Sequence, residues 1–124
     1  GSVVYKRQMV GKAVKIFSDN IEDTVKIIDV ARDVGVSVRQ LERVFVRTTG
    51  KTPLAYYQSL RMHKARQMLL YGKDSMIQIA LAVGYSSTGS MSKTYMEVFG
   101  ILPKDDRKKI NMFRVRENAI VPSA

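Results

Sequence analysis

The chain has 124 residues and a formal net charge of +10 at pH 7, with 21 Lys and Arg against 11 Asp and Glu. It contains no Cys, which excludes disulfides, thiolate metal sites and Cys nucleophiles, and no apolar run approaches the roughly 20 residues of a membrane-spanning helix. The length allows one domain or two very small ones, and the cationic excess favours a polyanionic partner without separating DNA, RNA and anionic lipid.

Both ends of the chain are expected to lie outside the folded domain. Gly1-Ser2, with no initiator Met, is typical of a cloning scar left by tag removal. Residues 109–124 are predicted to be a C-terminal tail, loosely ordered from Asn111 onward because that stretch has no clear period. The domain itself is therefore placed at residues 3–108.

Helical patterns dominate between these ends. Apolar residues from Met9 to Phe17 follow the i, i+4, i+7, i+8 spacing of one helix face. A second short apolar run begins at Ile27 and stops at Gly35, because Gly readily adopts the left-handed conformation that ends a helix. The sequence therefore predicts two helices before Gly35.

Polar caps and glycines delimit two further helices. Ser37 is a suitable N-cap for a third helix, which is predicted to end at Gly50. Thr52-Pro53 supplies an N-cap and an N1 proline for a longer fourth helix, extending to about residue 71. Apolar residues are spread over most of the circumference of this fourth helix, which predicts a central helix packed on several sides.

The second half of the chain repeats the pattern of the first. Ala31-x-x-x-Gly35 matches Ala80-x-x-x-Gly84 at an offset of 49. Further positions match at an offset of 50, namely Ser37, Leu41, Arg43, Phe45, Gly50 and Pro53 with Ser87, Met91, Lys93, Tyr95, Gly100 and Pro103. Each copy is a short helix, a Gly turn and a second helix, which is the helix-turn-helix plan. The repeat in register disfavours the alternative, an ordinary helical bundle with glycine turns.

The duplication predicts an all-α fold in which two helix-turn-helix units are joined by a long central linker helix. The first unit is placed at about residues 8–50, the linker helix at about 53–71 and the second unit at about 75–108. A linker of about 19 residues would be nearly 30 Å long, close to the roughly 34 Å between successive major-groove faces of B-DNA. Two such units could address one face of a duplex without a second protomer.

The third helix has two contrasting sides, at about 100° per residue. One side carries apolar residues: Leu41, Val44 and Phe45. The other carries charged residues with one valine among them: Arg39, Glu42, Arg43, Val46 and Arg47. Such a face is either a solvated basic surface or a recognition helix for the DNA major groove, where Arg pairs with guanine and Glu accepts a hydrogen bond from cytosine. The duplication and the net charge favour the recognition helix.

The corresponding face of the second copy is different in character. It carries short or absent side chains and one cation: Thr88, Gly89, Ser90, Ser92 and Lys93. Short hydroxyl groups reach a base edge only where the helix lies close to the DNA. The first unit is therefore expected to contribute more sequence discrimination, and the second more phosphate and backbone contacts.

Taken together, these motifs resemble the DNA-binding domain of the AraC/XylS family of bacterial transcription regulators. The resemblance covers about residues 8–108. Its first part is Ala31-x-x-x-Gly35-x-Ser37-x-Arg39-x-Leu41-x-Arg43-x-Phe45, then Gly50-x-Thr52-Pro53-x-x-Tyr56. The later parts are Leu60 to Leu69, which resembles the linker helix of the family, Ala80-x-x-x-Gly84-Tyr85, Ser87 and Phe99-Gly100-x-x-Pro103. The family pattern is not followed at Lys26, Met91, Lys93, Leu102 and Asp106.

The resemblance implies a seven-helix domain whose two recognition helices enter successive major grooves. The base-contacting positions that it implies are Arg39, Glu42 and Arg43 in the first unit and Thr88, Gly89, Ser92 and Lys93 in the second. Phosphate contacts are expected from helix N-termini and nearby lysines: Ser37, Lys51, Thr52, Lys73, Ser87, Lys104 and Lys108.

The predicted partners are double-stranded DNA and RNA polymerase, in the cytoplasm and associated with the nucleoid. A sensor domain is expected in the full-length protein, since Tyr56-Tyr57, Arg61 to Arg66 and Pro103 to Arg107 are similar to the subgroup with an N-terminal DJ-1/PfpI-like domain. No catalytic residue, metal site or cofactor is predicted, because His63 is the single His and no glycine-rich phosphate loop occurs. The alternatives are a non-specific nucleic-acid-binding basic domain, and a domain in which one unit docks a protein such as RNA polymerase.

Overall fold

Seven α-helices and no strands make up the part of the chain that the computed structural model describes, residues 2–120. The helices are α1 (Ser2–Asp19), α2 (Ile27–Val34), α3 (Val38–Thr49), α4 (Pro53–Tyr71), α5 (Met76–Ala82), α6 (Thr88–Phe99) and α7 (Pro103–Ile120). The predicted all-α, seven-helix fold is confirmed. Within residues 2–120, no helix is both long enough and apolar enough to cross a membrane.

The chain divides into two units, and the boundary falls inside α4. Unit 1 is Gly1–Arg61 and unit 2 is Met62–Ala124. Unit 1 contains the helix pair α2–α3 and unit 2 contains the pair α5–α6. Each pair joins a short helix to a twelve-residue helix through a glycine-containing turn, as the duplicated sequence predicts.

The predicted boundaries of the paired helices α2–α3 and α5–α6 are confirmed by backbone geometry and by caps. The glycines after the paired helices all take the left-handed conformation, with φ of 88° at Gly35, 78° at Gly50, 85° at Gly84 and 71° at Gly100. Before α3, Ser37 Oγ accepts a hydrogen bond from the backbone N–H of Gln40 at 3.1 Å. The Gln40 side-chain oxygen accepts one from the Ser37 backbone N–H at 3.0 Å. This capping box fixes the direction in which α3 leaves the turn.

An aromatic cluster holds unit 1 together. Phe17 of α1 stacks on Tyr57 of α4 with ring centroids 4.5 Å apart, and its centroid lies 5.9 Å from that of Phe45 on α3. The Tyr56 and Phe45 rings form an edge-to-face pair with centroids 5.7 Å apart. The Tyr57 hydroxyl also forms two hydrogen bonds with the backbone between α1 and α2. It donates to the carbonyl oxygen of Asn20 and accepts from the N–H of Val25. These contacts anchor α3 from its buried side.

Unit 2 has a buried polar cluster at the corresponding place. The Tyr95 hydroxyl of α6 donates to the Asp106 carboxylate of α7 at 2.5 Å, and the same carboxylate oxygen lies 3.2 Å from Nε of Arg66 on α4. The Arg66 guanidinium also lies 4.9 Å from the ring centroid of Phe99. Asp106 is only 3% exposed and the Arg66 side chain is 41% exposed, so the carboxylate of this ion pair is buried and its guanidinium partner is not. Burial raises the pKa of the Tyr95 hydroxyl, and the hydrogen bond to Asp106 raises it further.

The C-terminal segment is more helical than predicted. α7 extends to Ile120, so the expectation of loosely ordered chain from Asn111 is wrong as far as Ile120. The physical reason is the absence of Pro and Gly from residues 104–120, which leaves nothing to break the helix that Pro103 begins. The last residues of the predicted tail, 121–124, lie outside the described residues.

The first helix begins earlier than the apolar pattern indicates. α1 starts at Ser2, whereas the helical spacing becomes recognisable only at Met9. The early turns carry Val3, Val4 and Tyr5 as exposed residues, so no buried periodic face reveals them in the sequence. Gly1 of the predicted cloning scar lies outside the described residues.

Candidate nucleic-acid interface

The exposed side of α3 carries the base-contacting residues predicted for the first unit. Leu41, Val44 and Phe45 are buried in the core of unit 1, as their spacing predicts. The opposite side of the helix is exposed and carries Arg39, Glu42, Arg43, Val46 and Arg47. The predicted residues Arg39, Glu42 and Arg43 therefore share one accessible face. Two cations and one carboxylate on that face can donate to and accept from polar groups of a partner.

A cationic groove runs beside this face, between α1 and α3. Arg43 and Arg47 of α3 line a shallow cavity of ≈ 220 Å³ together with Tyr5 and Lys6 of α1. No Asp or Glu is among the residues that line the groove, so no carboxylate of the groove lining pairs with its cations. Lys6 was missed in the sequence because it precedes the recognisable start of the helix at Met9. The signal that could have found it is its position one turn before Met9, on the same side of α1.

The exposed side of α6 carries the residues predicted for the second unit, with one difference. Met91, Thr94 and Tyr95 are buried, and Thr88, Gly89 and Lys93 are exposed. Ser92 is partly buried, so less of this residue is accessible than of the other residues on this face. Ser87 Oγ caps the helix by accepting a hydrogen bond from the Ser90 backbone N–H at 3.1 Å.

The fold does not require glycine at position 89. Gly89 has no left-handed backbone conformation, and a Cβ built there would meet only Ser87 Oγ, at 4.0 Å. Gly in a helix costs up to about 1 kcal/mol relative to Ala. The absence of a side chain at this exposed position leaves room for the close approach of another molecule.

The predicted phosphate-contacting residues are all exposed: Ser37, Lys51, Thr52, Lys73, Ser87, Lys104 and Lys108. Three of them are helix N-caps whose side-chain oxygen already accepts a backbone N–H, namely Ser37, Thr52 and Ser87. An anion bound at these helix starts would therefore accept hydrogen bonds from the free backbone N–H groups of the first turn. Lys51 Nζ donates to Ser59 Oγ at 3.4 Å, which holds that ammonium group beside the second turn of α4.

Comparison with known proteins places the chain in a family. The helix-turn-helix domain family matches residues 30–109. A transcriptional regulator from Chromobacterium violaceum, described as an AraC-type DNA-binding domain-containing protein, is 40% identical. The match covers 84% of this chain and 93% of that one, with a TM-score of 0.78. The chain belongs to the AraC-type helix-turn-helix family. The resemblance seen in the sequence is thus confirmed for this domain.

Curated relatives are much longer than this chain. The HTH-type transcriptional regulator ArgR of Pseudomonas aeruginosa is 41% identical over 98 residues, which are 79% of this chain and 30% of that protein. The regulator GbdR of the same species is 40% identical over 95 residues, 77% of this chain and 26% of that protein. The chain therefore spans less than a third of these relatives. The DNA-binding domain of AdpA shares the fold at 20% identity, with a TM-score of 0.78 and coverage of 84% of this chain and 94% of that one.

The family match also separates two parts of the candidate interface. Residues 30–109 of this AraC-type domain include α3 and α6 with every predicted base-contacting residue. α1 precedes the matched segment, and with it Tyr5 and Lys6 of the cationic groove. α3 and α6 therefore lie within the segment that matches the family, whereas part of the groove lies outside it.

Proposed function

We propose that this chain is the sequence-specific, double-stranded-DNA-binding domain of a bacterial transcription regulator, with α3 and α6 as its recognition helices. The observation that carries the proposal is the exposed face of α3, where Arg39, Glu42 and Arg43 lie opposite a fully buried apolar side. Membership of the AraC-type family supports it. So does the DNA complex in which the AdpA domain, a protein of the same fold, was solved.

Each helix would read bases with the groups that its exposed face presents. In the first unit, Arg39 and Arg43 would donate bidentate hydrogen bonds to guanine, and Glu42 would accept from the amino group of cytosine. In the second unit, Lys93 would donate to an acceptor at a base edge, and Gly89 would let α6 approach closely. Thr88 and the half-buried Ser92 complete the second set and offer only hydroxyl groups.

The remaining cations and helix starts would position the domain without reading sequence. Lys51, Lys73, Lys104 and Lys108 are exposed cations that can pair with phosphates, and the starts of α3, α4 and α6 present free N–H groups. Each phosphate neutralised releases condensed counterions, so binding should weaken steeply as the salt concentration rises. The +10 net charge of the chain accords with this role.

Binding-site selection from a random duplex library, with the salt concentration fixed, tests the proposal. Enrichment of one motif spanning two successive major grooves is the expected result, because two recognition helices contribute. A non-specific basic domain would bind without enriching any motif. A domain in which one unit docks a protein would enrich a motif confined to one major groove, and footprinting on the selected duplex would show the shorter protected stretch.

We also propose that the full-length protein joins this domain to an N-terminal sensor domain of the DJ-1/PfpI-like kind and contacts RNA polymerase at the nucleoid in the cytoplasm. The support is that the matched residues make up only 30% of one curated relative and 26% of another. The sequence similarities at Tyr56-Tyr57, Arg61 to Arg66 and Pro103 to Arg107 support the proposal that the sensor domain is of the DJ-1/PfpI-like kind. Mass spectrometry of the protein purified from its native host would test the domain content, and co-purification with RNA polymerase would test the partner.

A further inference from the structure

An apolar residue lies at the centre of the exposed face of α3. Seven residues at about 100° each bring Val46 to within about 20° of Arg39 on the helix surface, between Glu42 and Arg43. Val46 is 47% exposed although every other central position of this face is charged. A single exposed valine is ordinary on a protein surface, so the exposure of Val46 alone does not indicate a binding contact.

The same position is apolar and exposed in the second unit. The offset of 50 that aligns Arg43 with Lys93 places Met96 at the position of Val46, and Met96 is 41% exposed. Met96 lies one helical turn after Ser92 and Lys93, as Val46 lies one turn after Glu42 and Arg43. Both proposed recognition helices thus present an apolar group in the middle of a polar face, in one register.

A base edge in the major groove offers one apolar complement. The other groups that distinguish the base pairs there are hydrogen-bond donors or acceptors, and the C5-methyl group of thymine is the one alkyl group. An unbranched or branched aliphatic side chain placed among base-reading residues would leave donors and acceptors unpaired against any other base. We therefore infer that Val46 and Met96 each contact the 5-methyl group of a thymine, an inference that rests on the proposed function.

The position of the first thymine follows from the helix. Val46 lies three residues beyond Arg43, a rise of about 4.5 Å along α3. Base pairs are stacked about 3.4 Å apart. The thymine contacted by Val46 therefore lies one or two base pairs from the base pair that Arg43 reads.

Base analogues test this contact directly. The duplex obtained by binding-site selection is remade with each thymidine replaced in turn by deoxyuridine, which lacks only the methyl group. For the wild-type domain, one replacement in each half of the site is expected to weaken binding about fourfold, the equivalent of the ~0.8 kcal/mol that burial of one methyl group contributes. In Val46→Ala, the replacement in the first half should no longer matter, and in Met96→Ala the one in the second half should no longer matter.

Val115→Ala is the matched control, because Val115 is 68% exposed on α7 and receives the same substitution away from both recognition helices. It should keep both deoxyuridine effects. The inference is overturned if every deoxyuridine effect is the same in Val46→Ala and Met96→Ala as in the wild type. It is also overturned if no thymine lies within two base pairs of the position whose preference is lost in Arg43→Ala. If selection enriches no motif at all, the proposed function fails and this inference fails with it.

Discussion

Units 1 and 2 are copies of one plan, yet they stabilise their recognition helices by different chemistry. In unit 1, Phe45 packs against the edge of Tyr56. At the matching positions of unit 2, offset by 50, Tyr95 donates a hydrogen bond to Asp106, which is paired with Arg66. The comparison shows that the buried side of a recognition helix can be stabilised by aromatic contacts or by a buried carboxylate. The carboxylate stabilises the helix only while its hydrogen-bonding and ion-pair partners are all present.

The largest effect is expected from Asp106→Ala. The substitution leaves the Tyr95 hydroxyl and the Arg66 guanidinium without their acceptor, at a cost of about 2–3 kcal/mol. The cost falls below that of breaking a fully buried pair, because the Arg66 side chain is 41% exposed. Urea denaturation followed by circular dichroism measures the loss, and hydrogen exchange should locate it in α5 to α7.

Tyr56→Leu is the matched change in unit 1. It removes only an edge contact to Phe45, which is worth about 0.5–1.5 kcal/mol beyond area burial. Its loss of hydrogen-exchange protection should lie in α1 to α3. Equal destabilisation by Tyr56→Leu and Asp106→Ala would contradict the distinction between an aromatic and an ionic support.

The two exposed faces should also differ, as the Arg43→Ala and Lys93→Ala variants would show. Arg43→Ala should cost about 1–3 kcal/mol on the selected duplex and relax the preference at one base pair. Lys93→Ala should weaken selected and random duplexes more nearly alike, because a single ammonium group discriminates less than a bidentate guanidinium. Competition between selected and random DNA measures both. Equal loss of specificity in the two variants would remove the predicted asymmetry between the units.

Gly89→Ala separates folding from binding. It should stabilise the free domain by up to about 1 kcal/mol, since the added Cβ meets only Ser87 Oγ at 4.0 Å. It should weaken DNA binding, because the added methyl group would lie where α6 is proposed to approach the duplex closely.

Gly11→Ala provides the control, because Gly11 is an exposed helical glycine on α1. A Cβ at this position would have no neighbouring atom within 4 Å. This substitution should stabilise the free domain at least as much, because Gly11 lies in the interior of α1 whereas Gly89 is the second residue of α6, and it should leave DNA binding unchanged. Unchanged binding in both variants would show that Gly89 has no role at the interface.

The smallest effect is an alkaline one, confined to unit 2. Because burial raises the pKa of Tyr95, the folded state holds a proton that the unfolded chain releases near the ordinary tyrosine pKa of about 10. The free energy of unfolding should therefore fall as the pH rises above about 10, and stability from this group is fully present below that pH. The pH dependence should be flatter in Tyr95→Phe, while Tyr5→Phe, a change at an exposed tyrosine on α1, should keep the wild-type slope.

The boundaries of α2 and α3 and the buried positions of α3 were predictable, because they depend on signals within a few residues. Ser37, Gly35 and Gly50 each act on their own turn of backbone, and Leu41 to Phe45 follow a local period. The burial of Asp106 was not predictable, since it lies among charged neighbours that suggest a solvated stretch. Only the folded chain brings Asp106 to Tyr95, eleven residues away, and to Arg66 on another helix.

The candidate interface shows the same division. Arg39, Glu42 and Arg43 could be selected from the sequence because the buried period of α3 identifies its opposite side. The participation of Lys6 in a groove with Arg43 and Arg47 could not, because it depends on how α1 packs against α3. The half-burial of Ser92 was missed for a similar reason, since helix periodicity ranks faces and not the accessibility of single hydroxyl groups.

The shared register of α3 and α6 has a practical consequence for protein engineering. Buried positions 41, 44 and 45 correspond to 91, 94 and 95, so the surface of one helix can be rewritten without altering the residues that hold it. Transplanting Arg39, Glu42, Arg43 and Val46 onto positions 89, 92, 93 and 96 would give a domain whose two recognition helices present the same residues at these four positions. Its preferred operator should then be a direct repeat of the first half-site.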